Sequence, residues 1–247
     1  MNPTTTSLTY GTYLRLPQLL GQQVPQAAAA HDEHLFITVH QVHELWFKQL
    51  LVELTDARDR MLAGENAVAV RRLSRCHEIE RELLGTLELL DTMAPGDFRE
   101  FRGALGTASG GQSAQFHEIE ALSAHRDPAR RDRPRRMRWL TGTERARLDR
   151  RLLEPTLWDG FLAALAGLPG PGRAAAFRGE GPLGELADAL LGHDEGWARW
   201  RARHVRVVER QLGGERGTAG SSGAAYLRGR TGERFFPRLW EARGAVL

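Results

Sequence analysis

From Asp32 to about Leu62 the chain contains few helix breakers, and Phe36, Val39, Leu50 and Leu54 recur along it at steps of three and four. That spacing is the period of an amphipathic helix, and a helix of this length can bury its apolar stripe only against other long elements. A partner follows at once. Val70, Leu73, Ile79, Leu83, Leu87 and Leu90 predict a second long helix from about Asn66 to Leu90. Pro95-Gly96 stops the chain, Asp97 is placed to cap a short helix through Leu105, and the Ser109-Gly110-Gly111 turn leads into another at about Ser113–Ser123. Shorter helices are expected near Thr143–Leu153 and Pro155–Ala166, with Leu168-Pro-Gly-Pro-Gly172 as a loop. The best-defined late helix starts at Leu183 or Asp194 and runs to Leu212, carrying Trp197, His204, Val208 and Leu212 along one face. Gly213-Gly214 ends it. A Gly/Ser-rich loop over Arg216–Gly223 precedes a final helical segment through Arg243. Strand alternation is nearly absent and no internal repeat is visible, so the expectation is one all-α domain over residues 1–247 with helices packed around a shared interior.

Composition narrows the function classes. With 247 residues, 41% hydrophobic and 26% charged, the chain is an ordinary globular one, which excludes disorder and fibrous repeats. The lone Cys76 excludes an intramolecular disulfide and any all-cysteine metal site, so a reducing compartment is expected. No run approaches the ~18 apolar residues of a membrane span, and the start Met1-Asn-Pro-Thr-Thr-Thr has no secretory pattern. A cytoplasmic protein without a membrane partner is the expectation. The net charge is +3 and the pI about 9.6, because Lys48 is the single lysine and the other basic residues are arginines. Arg126, Arg130, Arg131, Arg133, Arg135, Arg136 and Arg138 fall close together, with Pro128 and Pro134 among them. No nucleic-acid-binding signature accompanies the run, which therefore reads as a solvated linker rather than a phosphate-binding arm.

Nine histidines are present. His77, His117, His125 and His193 read as surface or half-buried helix residues. His40 shares a face with Phe36 one turn before it, and His204 shares a face with Trp197 and Val208, so periodicity turns both inward. Two readings stay open for this pair: hydrogen-bonded core histidines, or one ligand to a metal or haem and one group facing a substrate. The His31-x-x-His34 and His40-Gln-Val-His43-Glu44 clusters invite a zinc reading, but they match neither order of the common zinc-peptidase motifs.

Longer words of the sequence go further. Tyr10-Gly-Thr-Tyr13-Leu14 is followed by His31-Asp-Glu-His-Leu-Phe36-Ile-Thr-Val-His40-Gln-Val-His43-Glu44-Leu-Trp46-Phe-Lys48. Later come Phe98-Arg-Glu-Phe101-Arg102-Gly-Ala-Leu105-Gly-Thr-Ala-Ser109-Gly110-Gly-Gln112-Ser113-Ala-Gln115-Phe116 and Trp200-Arg-Ala-Arg-His204. Arg216-Gly217-Thr218-Ala-Gly220-Ser-Ser-Gly223 and Phe235-Phe236-Pro237-Arg-Leu239 close the series. In this order the blocks resemble those of the tryptophan 2,3-dioxygenase family: YGxYL, HDExLFIxxHQxxELWFK, FRxxLGxxSGFQSxQ(F/Y), WRxRH, GTGGSSG and FFPEL. The resemblance is spread over most of the chain.

It implies a homotetrameric all-helical protein with haem b in its core. The active form is ferrous, and it cleaves the indole C2–C3 bond of L-tryptophan with O2 to give N-formylkynurenine, the entry to the kynurenine pathway. Matched position by position, His204 is the axial haem ligand, with an outer-shell partner expected to fix its tautomer. His40 is the histidine that hydrogen-bonds the indole N–H. Arg102 holds the substrate carboxylate, a task suited to a planar fork of donors, and Thr218 is the loop hydroxyl that receives the ammonium group with a haem propionate. Phe36 and Phe98 wall the indole, Ser109 and Gly110 form the turn above the haem, and Tyr10, Tyr13 and Leu14 reach in from a neighbouring subunit on an arm covering residues 1–30. From pattern alone, Arg102 is a surface arginine and Thr218 a turn residue.

The chain departs from the family at Gly111, where SGFQS has Phe, at Leu87, where an aromatic is usual, and at Ala219, which replaces a glycine of GTGGS. The segment between Trp158 and Trp197 is also shorter than the family's. A roomier substrate envelope is the expectation, with an alternative function beside the leading one: a related haem oxygenase acting on a methyl-tryptophan or another indole, giving an oxindole. A non-catalytic haem-binding or helical interaction protein is the third class.

Overall fold

The computed structural model describes residues 8–123, 137–217 and 222–244. Thr218, Ala219, His125 and the arginine-rich run as far as Arg136 lie outside the described residues. Every regular element among the described ones is helical. In chain order these are α1 (Tyr10–Tyr13), α2 (Leu16–Leu20), α3 (Glu33–Leu62), α4 (Asn66–Glu88), α5 (Pro95–Arg102), α6 (Ala114–Ser123), α7 (Gly142–Leu153), α8 (Leu157–Ala166), α9 (Gly170–Phe177), α10 (Gly184–Leu212), α11 (Ala224–Arg228) and α12 (Pro237–Gly244). The frame is the antiparallel pair α3 and α4 with α10 laid along α4; α8 and α6 close over α3. Leu50, Leu54, Leu73, Leu83, Leu190 and Trp197, drawn from all three long helices, are fully buried, which is the stripe-against-stripe burial that the periodicity demands.

The long helices stand where the pattern puts them, and the differences are local. Helix α4 gives way to a 3₁₀ turn over Leu89–Thr92. Asp97 does not cap α5: the helix begins at Pro95, and Asp97 in its first turn accepts a hydrogen bond from the Ala94 N–H at 3.1 Å. Leu168-Pro-Gly-Pro-Gly172 is a loop only at its start, since α9 begins inside it at Gly170. Pro169 and Pro171 occupy the cap and second positions, where a helix has no use for an N–H. The final helical segment is split, with α11 and α12 separated by a stretch whose Phe235 and Phe236 are fully buried. The Asp194 carboxylate, itself buried, accepts hydrogen bonds from the backbone N–H groups of both phenylalanines and from the indole N–H of Trp240. One anion thus satisfies three donors and fastens the C-terminal segment to α10.

His193 is a correction of another kind. It is fully buried, donating from Nδ1 to Glu80 at 2.5 Å and accepting at Nε2 from the Ser123 hydroxyl at 2.9 Å. Serine, histidine and carboxylate stand in the order of a hydrolytic relay, yet Ser123 has no exposed surface for a substrate to reach. The three residues come from α6, α10 and α4, so the chain of bonds ties those helices together.

Two glycines let α10 come close to α4. A Cβ at Gly192 meets the His77 ring at 2.7 Å, and one at Gly196 meets Glu80 Oε2 at 2.1 Å. Both glycines lie inside α10, as close contact points with α4. Glu80 cannot swing aside without losing His193, so Gly196→Ala overpacks a held side chain. The expected loss is about 1–3 kcal/mol, against the ~1 kcal/mol gain that alanine brings to an open helix. Urea unfolding checks the sign; a stabilised Gly196→Ala variant would contradict this packing.

Candidate haem and substrate site

A cavity of about 500 Å³ opens between α3, α5, α10 and the turn at Gly110, within the size range of small-molecule and cofactor sites. Phe36, His40, Phe98, Ser109, Gly110 and His204 all line it. Six of the residues picked out in the sequence therefore share one wall system. Trp200, Gln211 and Gly217 line it too, none of them given a site role in the sequence, and so does His43, whose sequence reading was the zinc cluster.

Helix α3 presents Phe36 and His40 one turn apart, their rings 4.1 Å from centroid to centroid. The His40 Nδ1–H donates to the Phe36 carbonyl at 2.7 Å. This fixes the tautomer, since a neutral imidazole whose Nδ1 carries the proton offers Nε2 as an acceptor. Burial lowers the pKa of His40, opposed by the Phe36 carbonyl and by the Glu44 charge, so the ring is held neutral. Phe36 also packs on Phe98 at 5.8 Å and Phe101 at 5.4 Å, which joins α3 to α5 along the apolar side of the cavity.

Across the cavity stands His204. Its ring stacks on Trp200 at 5.1 Å, and Trp200 stacks on Trp197 at 5.5 Å. Among the described residues no hydrogen bond fixes its tautomer. The outer-shell partner expected from the resemblance is not found among the described residues, where the ring packs on Trp200. Burial, with the nearby His40 and His43 adding to it, pushes the His204 pKa down to about 4. A neutral imidazole with a free nitrogen beside an apolar cavity is what an axial iron ligand requires. Gln211, two turns on, donates to the Leu90 and Met93 carbonyls at 3.1 and 3.0 Å and pins this end of α10.

The turn is built by its own side chains. Ser109 caps it, accepting from the Gly111 N–H, while Gln112 accepts from the Ser109 N–H and donates to the Thr107 carbonyl at 2.9 Å. A Cβ at Gly110 meets nothing within 4 Å, so the turn leaves room in front of it. Gly111 and Leu87, two of the departures noted in the sequence, both line the cavity.

Other expected residues lie elsewhere. Arg102, at the end of α5, is not a lining residue; it is ion-paired with Glu215 and donates to the Arg216 carbonyl. Tyr10, Tyr13 and Leu14 sit on the N-terminal arm, exposed and away from this chain's own cavity. His31 and His34 are exposed, and among the described residues no group of three histidine, cysteine or acidic side chains is placed to hold a metal ion. No helix among them is long and apolar enough to cross a membrane.

The comparisons with known proteins bear on the whole chain. The family model described as Tryptophan 2,3-dioxygenase matches residues 2–175 and 178–246. A tryptophan 2,3-dioxygenase of a Nocardioides species is 50% identical, covering 97% of this chain and 95% of the relative. Relatives of the same name from Anaeromyxobacter dehalogenans and Herpetosiphon aurantiacus are 38% and 37% identical, each over at least 96% of both chains.

The buried histidines give a pH signature. His43, which donates from Nδ1 to the Val39 carbonyl at 2.8 Å, is held like His204 at about 4, again chiefly by burial. Both pKa values lie below the ordinary 6.5, so folding favours the neutral rings. The stability they confer is complete above pH ~6.5 and is lost as pH falls toward 4, by ~1.4 kcal/mol per pH unit for each proton. Urea unfolding of the chain with nothing bound should show this decline, with His43→Gln reducing the slope by one proton. Stability unchanged between pH 7 and 5 would contradict the burial.

Proposed function

The chain belongs to the tryptophan 2,3-dioxygenase family, and from that premise we propose that the cavity holds haem b on His204 and opens the indole ring of L-tryptophan with O2 to N-formylkynurenine. The observation that carries this reading is the pair of neutral histidines on opposite helices, His204 and His40, lining one apolar cavity. The residues present fit a haem: an imidazole without a hydrogen-bond partner among the described residues, a stacked tryptophan behind it, and a glycine turn that leaves space in front. Bound there in its ferrous form, the haem supplies the oxygen chemistry.

The chain's own groups bind and orient. With Nδ1–H committed to Phe36, His40 accepts the indole N–H at Nε2 and sets the ring's angle. Phe36 and Phe98 give the indole apolar walls that exclude water. Arg102 takes the substrate carboxylate in its fork, Thr218 receives the ammonium group, and Ser109 and Gly110 would help to hold the haem from the turn that lines the cavity. Leu8, Tyr10, Tyr13 and Leu20 are 69–76% exposed on the arm. Such a run of large apolar side chains calls for a partner, and we assign it to a neighbouring copy in a homotetramer whose Tyr10, Tyr13 and Leu14 complete the site. The lone buried Cys76 suits a cytoplasmic setting.

Gly111 and Leu87 on the cavity wall support a second reading, in which a methyl-substituted tryptophan is accepted at least as well as L-tryptophan. A methyl group that finds a hydrophobic space is worth roughly 1–3 kcal/mol. Gly111→Phe should lower kcat/KM for the methylated substrate relative to the plain one in direct competition. An unchanged ratio would remove this reading and leave the first.

Two variants test the main assignment. His204→Ala should lose stable haem while keeping its helix content, with imidazole restoring haem binding; normal haem stoichiometry with an unchanged Soret band would overturn His204. Arg102→Leu should weaken L-tryptophan binding by about 2–4 kcal/mol, the scale for stripping one partner from a charge pair, and leave indole binding nearly unchanged. Equal losses for both ligands would make Arg102 a structural residue.

A further inference from the structure

Arg102 is already engaged. One Nη group pairs with the Glu215 carboxylate and the other donates to the Arg216 carbonyl, so both prongs of the guanidinium end on the segment that follows α10. The pair is partly wet: the Arg102 side chain is 22% exposed and that of Glu215 51%. A second cation stands by. Arg99, one turn earlier on α5, lies 4.0 Å from the other oxygen of Glu215. Two residues beyond Glu215, Gly217 lines the cavity.

A carboxylate and a neighbouring carbonyl in a planar fork present the same acceptor chemistry as the carboxylate of an α-amino acid. Resting on the assignment of Arg102 to the substrate carboxylate, we propose that Glu215 is a specificity-determining residue: an internal carboxylate that occupies Arg102 and must be displaced by the carboxylate of the substrate. Two carboxylates cannot share one guanidinium without like-charge repulsion, so binding of an indole amino acid hands Glu215 to Arg99 and to water. The apparent affinity for any carboxylate-bearing ligand is then the intrinsic affinity multiplied by the fraction of molecules in which Arg102 is free. Ligands without a carboxylate bypass the exchange. Because Glu215 and Gly217 belong to one short segment, displacement of the first also moves a stretch of cavity wall. Glu215 thus lowers the affinity of every carboxylate ligand by one common factor, sets their preference relative to ligands without a carboxylate, and couples capture to the site's edge.

The test uses the haem-loaded protein without oxygen, titrated spectroscopically with L-tryptophan, with indole-3-propionate, which keeps the carboxylate and lacks the amine, and with indole. Glu215→Gln should tighten both carboxylate ligands by about two- to fivefold, the scale of one partly exposed ion pair, and leave indole unchanged. Glu215→Ala, which removes the acceptor altogether, should do the same or more. In an Arg102→Leu background neither change should have any effect. If Glu215→Gln and Glu215→Ala leave L-tryptophan binding unchanged or weaker while Arg102→Leu still abolishes the carboxylate preference, Glu215 does not compete and the proposal falls while the role of Arg102 stands. If Arg102→Leu itself weakens indole and L-tryptophan equally, the underlying assignment falls. Equal tightening of indole by Glu215→Gln would also overturn the exchange.

Discussion

Helix α10 reaches α4 through Gly192 and Gly196, one turn apart, and the space they leave is filled by His77 and Glu80. Glu80 takes the Nδ1–H of His193, and His193 takes the hydroxyl of Ser123. That buried chain fixes the rotation and height of α10 relative to α4 and α6. About three turns further along the same helix stands His204, with Trp197 and Trp200 stacked between. A small rotation of α10 would carry His204 off the cavity wall, so the packing at two glycines governs the placement of the residue on which the proposed chemistry rests.

The second governing effect is desolvation. His40, His43 and His204 all have lowered pKa values, and in each case burial is the largest cause. Hydrogen bonds then divide the roles. His40 and His43 commit Nδ1–H to carbonyls of their own helix, whereas His204 has no such bond among the described residues and is held by stacking. A ring with a fixed tautomer suits an acceptor for a substrate N–H. A ring held only by its faces suits coordination. The ion pair of Arg102 and Glu215 lies in partial contact with water, where an ion pair contributes little.

Much of this was legible in the chain. The three long helices follow from apolar spacing, and the inward faces of His40 and His204 from their steps to Phe36, Trp197 and Val208. The haem and substrate roles came from ordered sequence blocks, not from periodicity. What escaped had local physical causes. His193 reads as surface or half-buried because helical spacing does not reveal that Glu80 and Ser123, distant in sequence, meet it in the core. Gly170 was assigned to a loop because prolines tolerated in a first helical turn look like breakers. Glu215 carried no signal, since its meaning depends on Arg102 at the end of another helix. His43 is hidden by its neighbour: two histidines three apart read as a zinc pair, and only the fold shows that both line one cavity.

Cleavage of the indole ring by the haem-loaded protein is tested most directly by a single turnover of its reduced form with L-tryptophan under isotopically labelled O2, followed by mass analysis of the product. The prediction is N-formylkynurenine carrying both labelled oxygen atoms. An oxindole with one labelled atom, or L-tryptophan returned unchanged, would contradict it.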